Sequence, residues 1–139
     1  MFFVFSHIAL WSLLKKKPLF TVSSAHGRDE SNNTPNWISA IASFSMTDLV
    51  ASGSNDGLIR LWKCSNDFRK LEKIREIPVK GFVNSLAFTP DGKSLVAGLG
   101  QEHRLGRWWR DKEAKNCVAV IPLLPKDDDS EESEDEDAN

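Results

Sequence analysis

Leu49-Val50-Ala51-Ser52-Gly53-Ser54-Asn55-Asp56-Gly57-Leu58-Ile59-Arg60-Leu61-Trp62 decides the fold of this chain. Two strand-forming runs flank Asn55-Asp56-Gly57. Asp-Gly between such runs is the strongest short-range hairpin signal, because glycine accepts the positive φ that the turn requires. The segment therefore predicts strand, tight turn, strand. Neither run alternates strictly between apolar and polar residues. Both carry apolar side chains at successive positions, as expected of a sheet covered on two faces rather than one.

Working outward, the pattern recurs. Ile8-Ala9-Leu10-Trp11, Ile59-Arg60-Leu61-Trp62 and Leu105-Gly106-Arg107-Trp108-Trp109 end alike, with Trp11, Trp62 and Trp109 spaced by 51 and 47 residues. Before each tight turn lies Leu49-Val50-Ala51-Ser52-Gly53-Ser54 or Leu95-Val96-Ala97-Gly98-Leu99-Gly100. Earlier again come the apolar runs 37–44 and 82–88, each followed by a turn, Ser45-Met46-Thr47-Asp48 or Thr89-Pro90-Asp91-Gly92-Lys93. The period is slightly longer than the roughly 40–45 residues of a WD-type propeller blade. Gly27 to Asn36, a polar surface loop without hydrophobic residues apart from Pro35, holds part of the surplus. Asp67–Glu76 has apolar residues three apart, but it reads better as a loop entering a strand that ends at Pro78. The expected fold is all-β, a partial WD40 β-propeller with about two full four-stranded blades plus flanking strands. Blade-like units are expected at about 18–64 and 71–111, with extra strands at about 4–13 and 116–124, all within residues 1–126. A β-sandwich is the alternative, and it would show cleaner alternation on strands with one face in water.

Resemblance to WD repeats assigns structural work to particular residues. In that family a His, a Ser or Thr, a turn Asp and the strand Trp bond to one another within a blade. His26, Asp56 and Trp62 match in the first copy, while the hydroxyl position falls on Ala40 with Ser39 beside it. Ser85 and Trp109 match in the second. There Gly81-Phe82 replaces the usual Gly-His, and Gln101 or Glu102 replaces the turn Asp. His26, which alone would also suit a base or a metal ligand, is therefore read as a structural donor, and Asp56 as a turn residue.

Charge is segregated along the chain. The net charge is −2, but residues 127–139 hold nine acids and no base, so the first 126 residues carry eleven acids against 18 bases, or +7. A basic body suits a polyanionic partner or is simply a solvated surface. The acidic tail, 127–139, is low in complexity and expected to be disordered. It is read as a solvated segment or one that meets basic partners, with Ser130 and Ser133 as candidate phosphorylation sites. Two cysteines, Cys64 and Cys117, without a CxxC spacing or a Cys/His cluster, point away from a disulfide framework or structural zinc and toward a reducing compartment. The apolar start, Met1 to Leu14, has its positive charges after the run rather than before it. It is too short to span a bilayer and reads as a strand, so no membrane partner is expected. The sequence offers no catalytic constellation of Ser/His/Asp, paired carboxylates or a phosphate-cradling glycine run, so an enzyme is not expected, nor any metal or cofactor.

The stretch Gly100-Gln101-Glu102-His103-Arg104-Leu105-Gly106-Arg107-Trp108-Trp109-Arg110 carries more than a blade strand requires. With Leu10-Trp11-Ser12-Leu13, Lys15-Lys16-Lys17-Pro18-Leu19, Trp37-Ile38-Ser39, Thr47-Asp48-Leu49-Val50-Ala51, Ile77-Pro78 and Gly81-Phe82-Val83-Asn84-Ser85-Leu86, it resembles the U3 small nucleolar RNA-interacting protein family. That family supplies the WD-repeat subunit of the U3 small nucleolar ribonucleoprotein, and the resemblance covers about residues 9–124, as a C-terminal fragment. It implies a non-catalytic RNA-binding scaffold acting in pre-rRNA processing and small ribosomal subunit biogenesis, in the nucleus and nucleolus. Its implied partners are U3 small nucleolar RNA, the box C/D core proteins and small-subunit processome components. Candidate RNA-binding residues are Lys15, Lys16, Lys17, His103, Arg104, Arg107 and Arg110, since guanidinium forks suit phosphates and base edges. The competing expectations are a protein–protein interaction platform in another pathway and an enzyme accessory subunit. Because blades stack on their neighbours, two blades alone are expected to expose apolar sheet faces and to aggregate. The chain is thus expected to be a truncated form.

Overall fold

The structure, a computed structural model, describes residues 2–4 and 6–123, of which residues 2–4 and Trp108 are described by their backbone alone. The acidic segment 127–139, with Ser130 and Ser133, lies outside the described residues. The described elements are all strands: β1 (Phe2–Val4), β2 (His7–Leu10), β3 (Phe20–Val22), β4 (Ala40–Ser43), β5 (Leu49–Gly53), β6 (Leu58–Cys64), β7 (Leu71–Pro78), β8 (Phe82–Phe88), β9 (Ser94–Gly100), β10 (Glu102–His103), β11 (Gly106–Arg110) and β12 (Cys117–Pro122). The Asn55-Asp56-Gly57 turn joins β5 to β6 with Gly57 at φ 82°, and Asp67–Glu76 enters β7 without a helix.

Three antiparallel sheets stack. They are ordered β1-β2-β3, then β4-β5-β6-β7, then β8-β9-β12, while β10 and β11 pair separately as a two-stranded hairpin. Register explains why the central sheet is apolar on both faces. Val50 lies opposite Trp62, and Ala51 opposite Leu61, so adjacent pairs face opposite ways. Val50, Trp62, Cys64 and Leu71 pack with Ile8, Ala25 and Ile38 on the side of the first sheet. Ala51, Ile59, Leu61 and Ile77 pack with Val83, Leu95 and Ala97 on the side of the third. Each face is a core, as radial stacking of blades requires. Burial pushes the Cys64 thiol up, with smaller pushes from Asp48 and Asp67, which suits a packing residue.

Polar bonds fix the stacking of the second and third sheets. The Ser39 hydroxyl sits 3.2 Å from the Gly53 carbonyl and also reaches the Val83 carbonyl across the sheet boundary, while the Val83 N–H donates to the Ser54 carbonyl at 3.2 Å. Where these sheets meet, there is no room for a side chain on Gly53, since a Cβ there would lie 2.3 Å from Val83 Cγ1.

The strand count departs from expectation in one place. One sheet has four strands, but the third has three, and its third strand is β12. From the sequence, residues 116–124 are an extra strand beside the two blades. Instead it pairs along its whole length with β9, from Cys117 opposite Leu99 to Pro122 opposite Ser94. Its alternating Ala119 and Ile121 reach the core, leaving Val118 and Val120 71% and 64% exposed. The hairpin β10–β11 is thus an insertion between the second and third strands of that sheet.

Candidate nucleic-acid interface

The first set of expected residues forms a closed polar network inside the central sheet. His26 approaches Asp56 with Nδ1 at 3.0 Å and Ser52 Oγ with Nε2 at 2.7 Å, and Trp62 Nε1–H donates to the same Ser52 Oγ at 2.8 Å. An indole N–H only donates and a carboxylate only accepts. The set is therefore satisfied when His26 Nδ1–H donates to Asp56 and the Ser52 hydroxyl donates to Nε2. Arg60 extends it, bonding the Ala25 carbonyl and lying 3.7 Å from Asp56 and from Glu76. The hydroxyl comes from Ser52, not from Ala40 or Ser39. Sequence reasoning placed it one strand too early, although Ser52 is the polar member of the run Leu49 to Ser54.

The second copy lacks this network among the described residues. Ser85 is exposed on β8, against Gly98. Trp109 sits on β11, outside the sheet and 49% exposed. Register gives the reason. Val50 faces Trp62 in the central sheet, whereas Val96 faces Val120 in the third. Ser52 and Arg60 are opposite one another, and the matching pair is Gly98 and Val118. Neither the hydroxyl nor the indole has a counterpart, so Ser85 and Trp109 do not take those roles.

The inserted hairpin carries His103, Arg104, Arg107 and Arg110. Its base is closed by the Asp111 N–H donating to the Gln101 carbonyl at 2.8 Å. Asn84 holds it from β8. Its amide donates to the Glu102 carbonyl at 2.9 Å and its Oδ1 accepts the Arg104 N–H at 3.0 Å. The register of β8 shifts between Val83 and Ser85, and such a bulge re-aims the residue within it. Gly100 leaves space for that amide, since a Cβ there would lie 2.8 Å from Asn84 Nδ2. Asn84 was not singled out from the sequence. Its signal is an amide between Val83 and Leu86 in a run otherwise fit for the core.

Three arginines against one glutamate give the hairpin a net charge of +2. Arg107 and Arg110 both face Glu102, at 3.3 and 4.0 Å, and Arg110 also donates to Gln101 Oε1 at 3.2 Å. With side chains 86% and 57% exposed, these guanidiniums gain little from the pairing and can exchange it for phosphate. They border a polar groove of about 600 Å³ with Asn84, His103 and Asn116. His103 packs edge-on to Phe82, ring centroids 6.1 Å apart, and its Nδ1 accepts the Leu105 N–H at 3.1 Å. Burial, with a smaller push from the Arg104 guanidinium, holds its imidazole below the usual histidine value.

Lys15, Lys16 and Lys17 are exposed in the connection from Leu10 of β2 to Phe20 of β3. His26 and Trp37 follow the other end of β3, and Trp37 is the residue that the hairpin meets through Trp109, ring centroids 5.5 Å apart. The lysines and the arginines therefore lie toward opposite ends of the strands. The structure does not gather them into one patch.

Residues 18–63 and 72–106 match the family model described as WD domain, G-beta repeat. The human U3 small nucleolar RNA-interacting protein 2 is 54% identical over 118 residues, covering 84% of this chain and 25% of that protein. Ribosomal RNA-processing protein 9 of Saccharomyces cerevisiae is 33% identical over 73% of this chain and 23% of its own length. The crystal structure of RRP9 WD40 repeats superposes with a TM-score of 0.82 at 53% identity, covering 86% of this chain and 37% of that one. The chain thus spans about a quarter of the length of the curated relatives it matches. From these repeats and from sheets that stack face to face around one indole network, the chain belongs to the WD-repeat family.

Proposed function

We propose that this chain contributes to a non-catalytic, RNA-binding scaffold of the U3 small nucleolar ribonucleoprotein, acting in pre-rRNA processing toward the small ribosomal subunit in the nucleolus. On this reading the partners are U3 small nucleolar RNA, the box C/D core proteins and small-subunit processome components. The observation that carries it is the inserted hairpin. The third sheet completes its three strands without β10–β11, so Arg104, Arg107 and Arg110 are displayed by an element outside that sheet. Exposed guanidiniums on a well-anchored hairpin suit the phosphates and base edges of a folded RNA. The names of the similar human and yeast proteins, U3 small nucleolar RNA-interacting and ribosomal RNA-processing, support the same assignment. The blades serve as the rigid frame, and Lys15 to Lys17 add a separate, salt-dependent attraction at the opposite end of the strands.

Ultraviolet crosslinking of the tagged chain in cells, followed by sequencing of the bound RNA, tests this. U3 RNA is expected to be enriched, and the combined Arg104→Ala, Arg107→Ala and Arg110→Ala variant is expected to lose most of that signal while remaining folded. Recovery of protein partners alone, with no U3 enrichment, would instead favour a protein-interaction platform.

A further inference from the structure

Trp37 and Trp109 come from different parts of the chain, one just before β4 and one on the inserted hairpin. Their rings meet edge to face, at 5.5 Å between centroids and 61° between planes. Both remain about half open, 42% and 49% exposed, beside a cleft of about 520 Å³ that Asp29, Asn32, Asn36 and Asn55 also line. We propose that this cleft receives an unpaired nucleobase of a bound RNA, stacked on the indoles and read along its edge by the surrounding amides. The inference rests on the RNA-binding reading above and adds a base-recognition site to it.

The platform is built before any ligand arrives. The loop from Gly27 to Asn36 folds back on itself, with the Asp29 N–H donating to the Thr34 carbonyl at 2.8 Å and the Asn36 N–H to the Gly27 carbonyl at 3.0 Å. Arg28 clamps the same loop by donating to the Asn33 carbonyl at 2.9 Å. The amides of the cleft are half used. Asn32 Oδ1 accepts the Thr34 N–H and hydroxyl, and Asn55 Oδ1 accepts the Ser54 hydroxyl, so both Nδ2 groups stay available among the described residues. Asn36 is the reverse, since its Nδ2 donates to the His26 carbonyl and its Oδ1 stays available. Donors and an acceptor thus line one cleft with two half-exposed indoles. A nucleobase presents that same combination, a π face and a hydrogen-bonding edge.

Charge orients the nucleotide. The cleft is lined by one acid, Asp29, and by no Lys or Arg. Hydrogen bonds from the Ser31 hydroxyl and N–H hold that carboxyl below the usual range, so it stays ionised and keeps phosphate out of the cleft. Arg107 and Arg110 line the neighbouring groove of the hairpin that carries Trp109, and that hairpin has a net charge of +2. The phosphate therefore lies on the hairpin side and the neutral base points toward the loop. An apolar peptide side chain would use the indoles but leave the amides idle. A cationic one would meet Asp29 but face the hairpin's excess positive charge.

The test titrates the full chain with a single-stranded octaribonucleotide and with an abasic ribose-phosphate octamer, following affinity and indole fluorescence at several salt concentrations. The parent is expected to prefer the base-bearing oligomer by roughly tenfold or more, the scale of one base–indole stack. Trp37→Ala and Trp109→Ala are each expected to remove most of that preference without changing the salt slope. Trp37→Phe is expected to keep it, which separates lost stacking from lost folding. Binding of both oligomers with no preference, or a preference untouched by the tryptophan variants, overturns the cleft and leaves the RNA-binding scaffold standing. Binding of neither oligomer overturns both. Indole quenching by an arginine-rich decapeptide but not by RNA assigns the cleft to a protein segment and overturns the proposal.

Discussion

Ser52→Ala removes one oxygen and is expected to weaken the whole central sheet. Ser52 is 0% exposed, and its Oγ is the shared partner of Trp62 Nε1 at 2.8 Å and His26 Nε2 at 2.7 Å. Those partners are themselves 4% and 1% exposed, so water cannot replace the lost hydroxyl. A buried polar group left without its partner costs about 1–3 kcal/mol. Two groups are orphaned at once, and partial relaxation of the His26 ring offsets some of the loss, so the expected destabilisation is about 2–4 kcal/mol. Against a total stability of about 5–15 kcal/mol for a domain, that is a large fraction.

The assay is urea unfolding followed by tryptophan fluorescence, where this loss lowers the midpoint on the order of 1–2 M. Ser85→Ala is the matched control. Ser85 occupies the position that sequence alone would assign to the same role, yet it is exposed and bonds to no described side chain, so its removal is expected to change stability by less than about 0.5 kcal/mol. A Ser52→Ala midpoint equal to the parent's, or equal losses in the two variants, would refute the network as the element that ties the central sheet together.

Excising Glu102–Arg110 and joining Gln101 to Asp111 through one or two glycines is expected to leave the β8-β9-β12 sheet intact, because Asp111 N–H already bonds the Gln101 carbonyl. Denaturant unfolding is expected to show a loss of about 1 kcal/mol, the scale of the Trp37–Trp109 aromatic contact. Gly53→Ala is expected to cost about 1–3 kcal/mol by overpacking against Val83, whose Cγ1 would lie 2.3 Å from the new Cβ. Adding Val83→Ala is expected to recover part of that loss, so a double-mutant cycle in thermal unfolding checks the contact. His103 is held below its usual value of 6.5 by burial and then by Arg104. Because the folded pKa is depressed, its contribution to hairpin stability is present above the unfolded value and lost as pH falls from there through the folded one. An NMR titration is expected to place the His103 midpoint below 6.5 and to move it upward in Arg104→Ala.

Much of the fold could be read from residues because local and global demands agree. The Asn55-Asp56-Gly57 turn, the two-faced apolar runs and the recurring tryptophans each reflect a sheet buried between neighbours, and the structure shows both faces of β5 and β6 in contact. His26, Asp56 and Trp62 stood out because each is chemically specific. Their hydroxyl partner did not, because a serine is common and Ser39, Ser52 and Ser54 all lie within reach of a plausible pattern. Tertiary register decides among them. Ser52 bonds the His26 and Trp62 rings, Ser39 crosses to Val83, and Ser54 donates to the Trp37 carbonyl at 2.6 Å.

Spacing misplaces the hairpin for a reason that bears on function. Trp108-Trp109 ends a strand-like run at 47 residues from Trp62, close to the 51 between Trp11 and Trp62, so spacing alone makes it the third strand of its blade. Pairing shows otherwise, since Val120 occupies the position opposite Val96 that Trp62 occupies opposite Val50. Trp62 to Val120 spans 58 positions, and removing the nine residues Glu102–Arg110 brings that to 49, back within the repeat. The blade pattern is therefore kept by β8, β9 and β12, and the arginine-rich hairpin is extra. A segment outside the β8-β9-β12 sheet has no strand-pairing reason to hold the half-open Trp109 and three arginines. Burial of Ala119 and Ile121 explains β12, but nothing in the core explains Arg104, Arg107 or the half-open Trp109. A half-open indole costs solubility, and the exposed guanidiniums gain little stability where they stand. On the function proposed above what they gain is a partner, since guanidinium and indole on one anchored hairpin suit the phosphates and bases of a structured RNA.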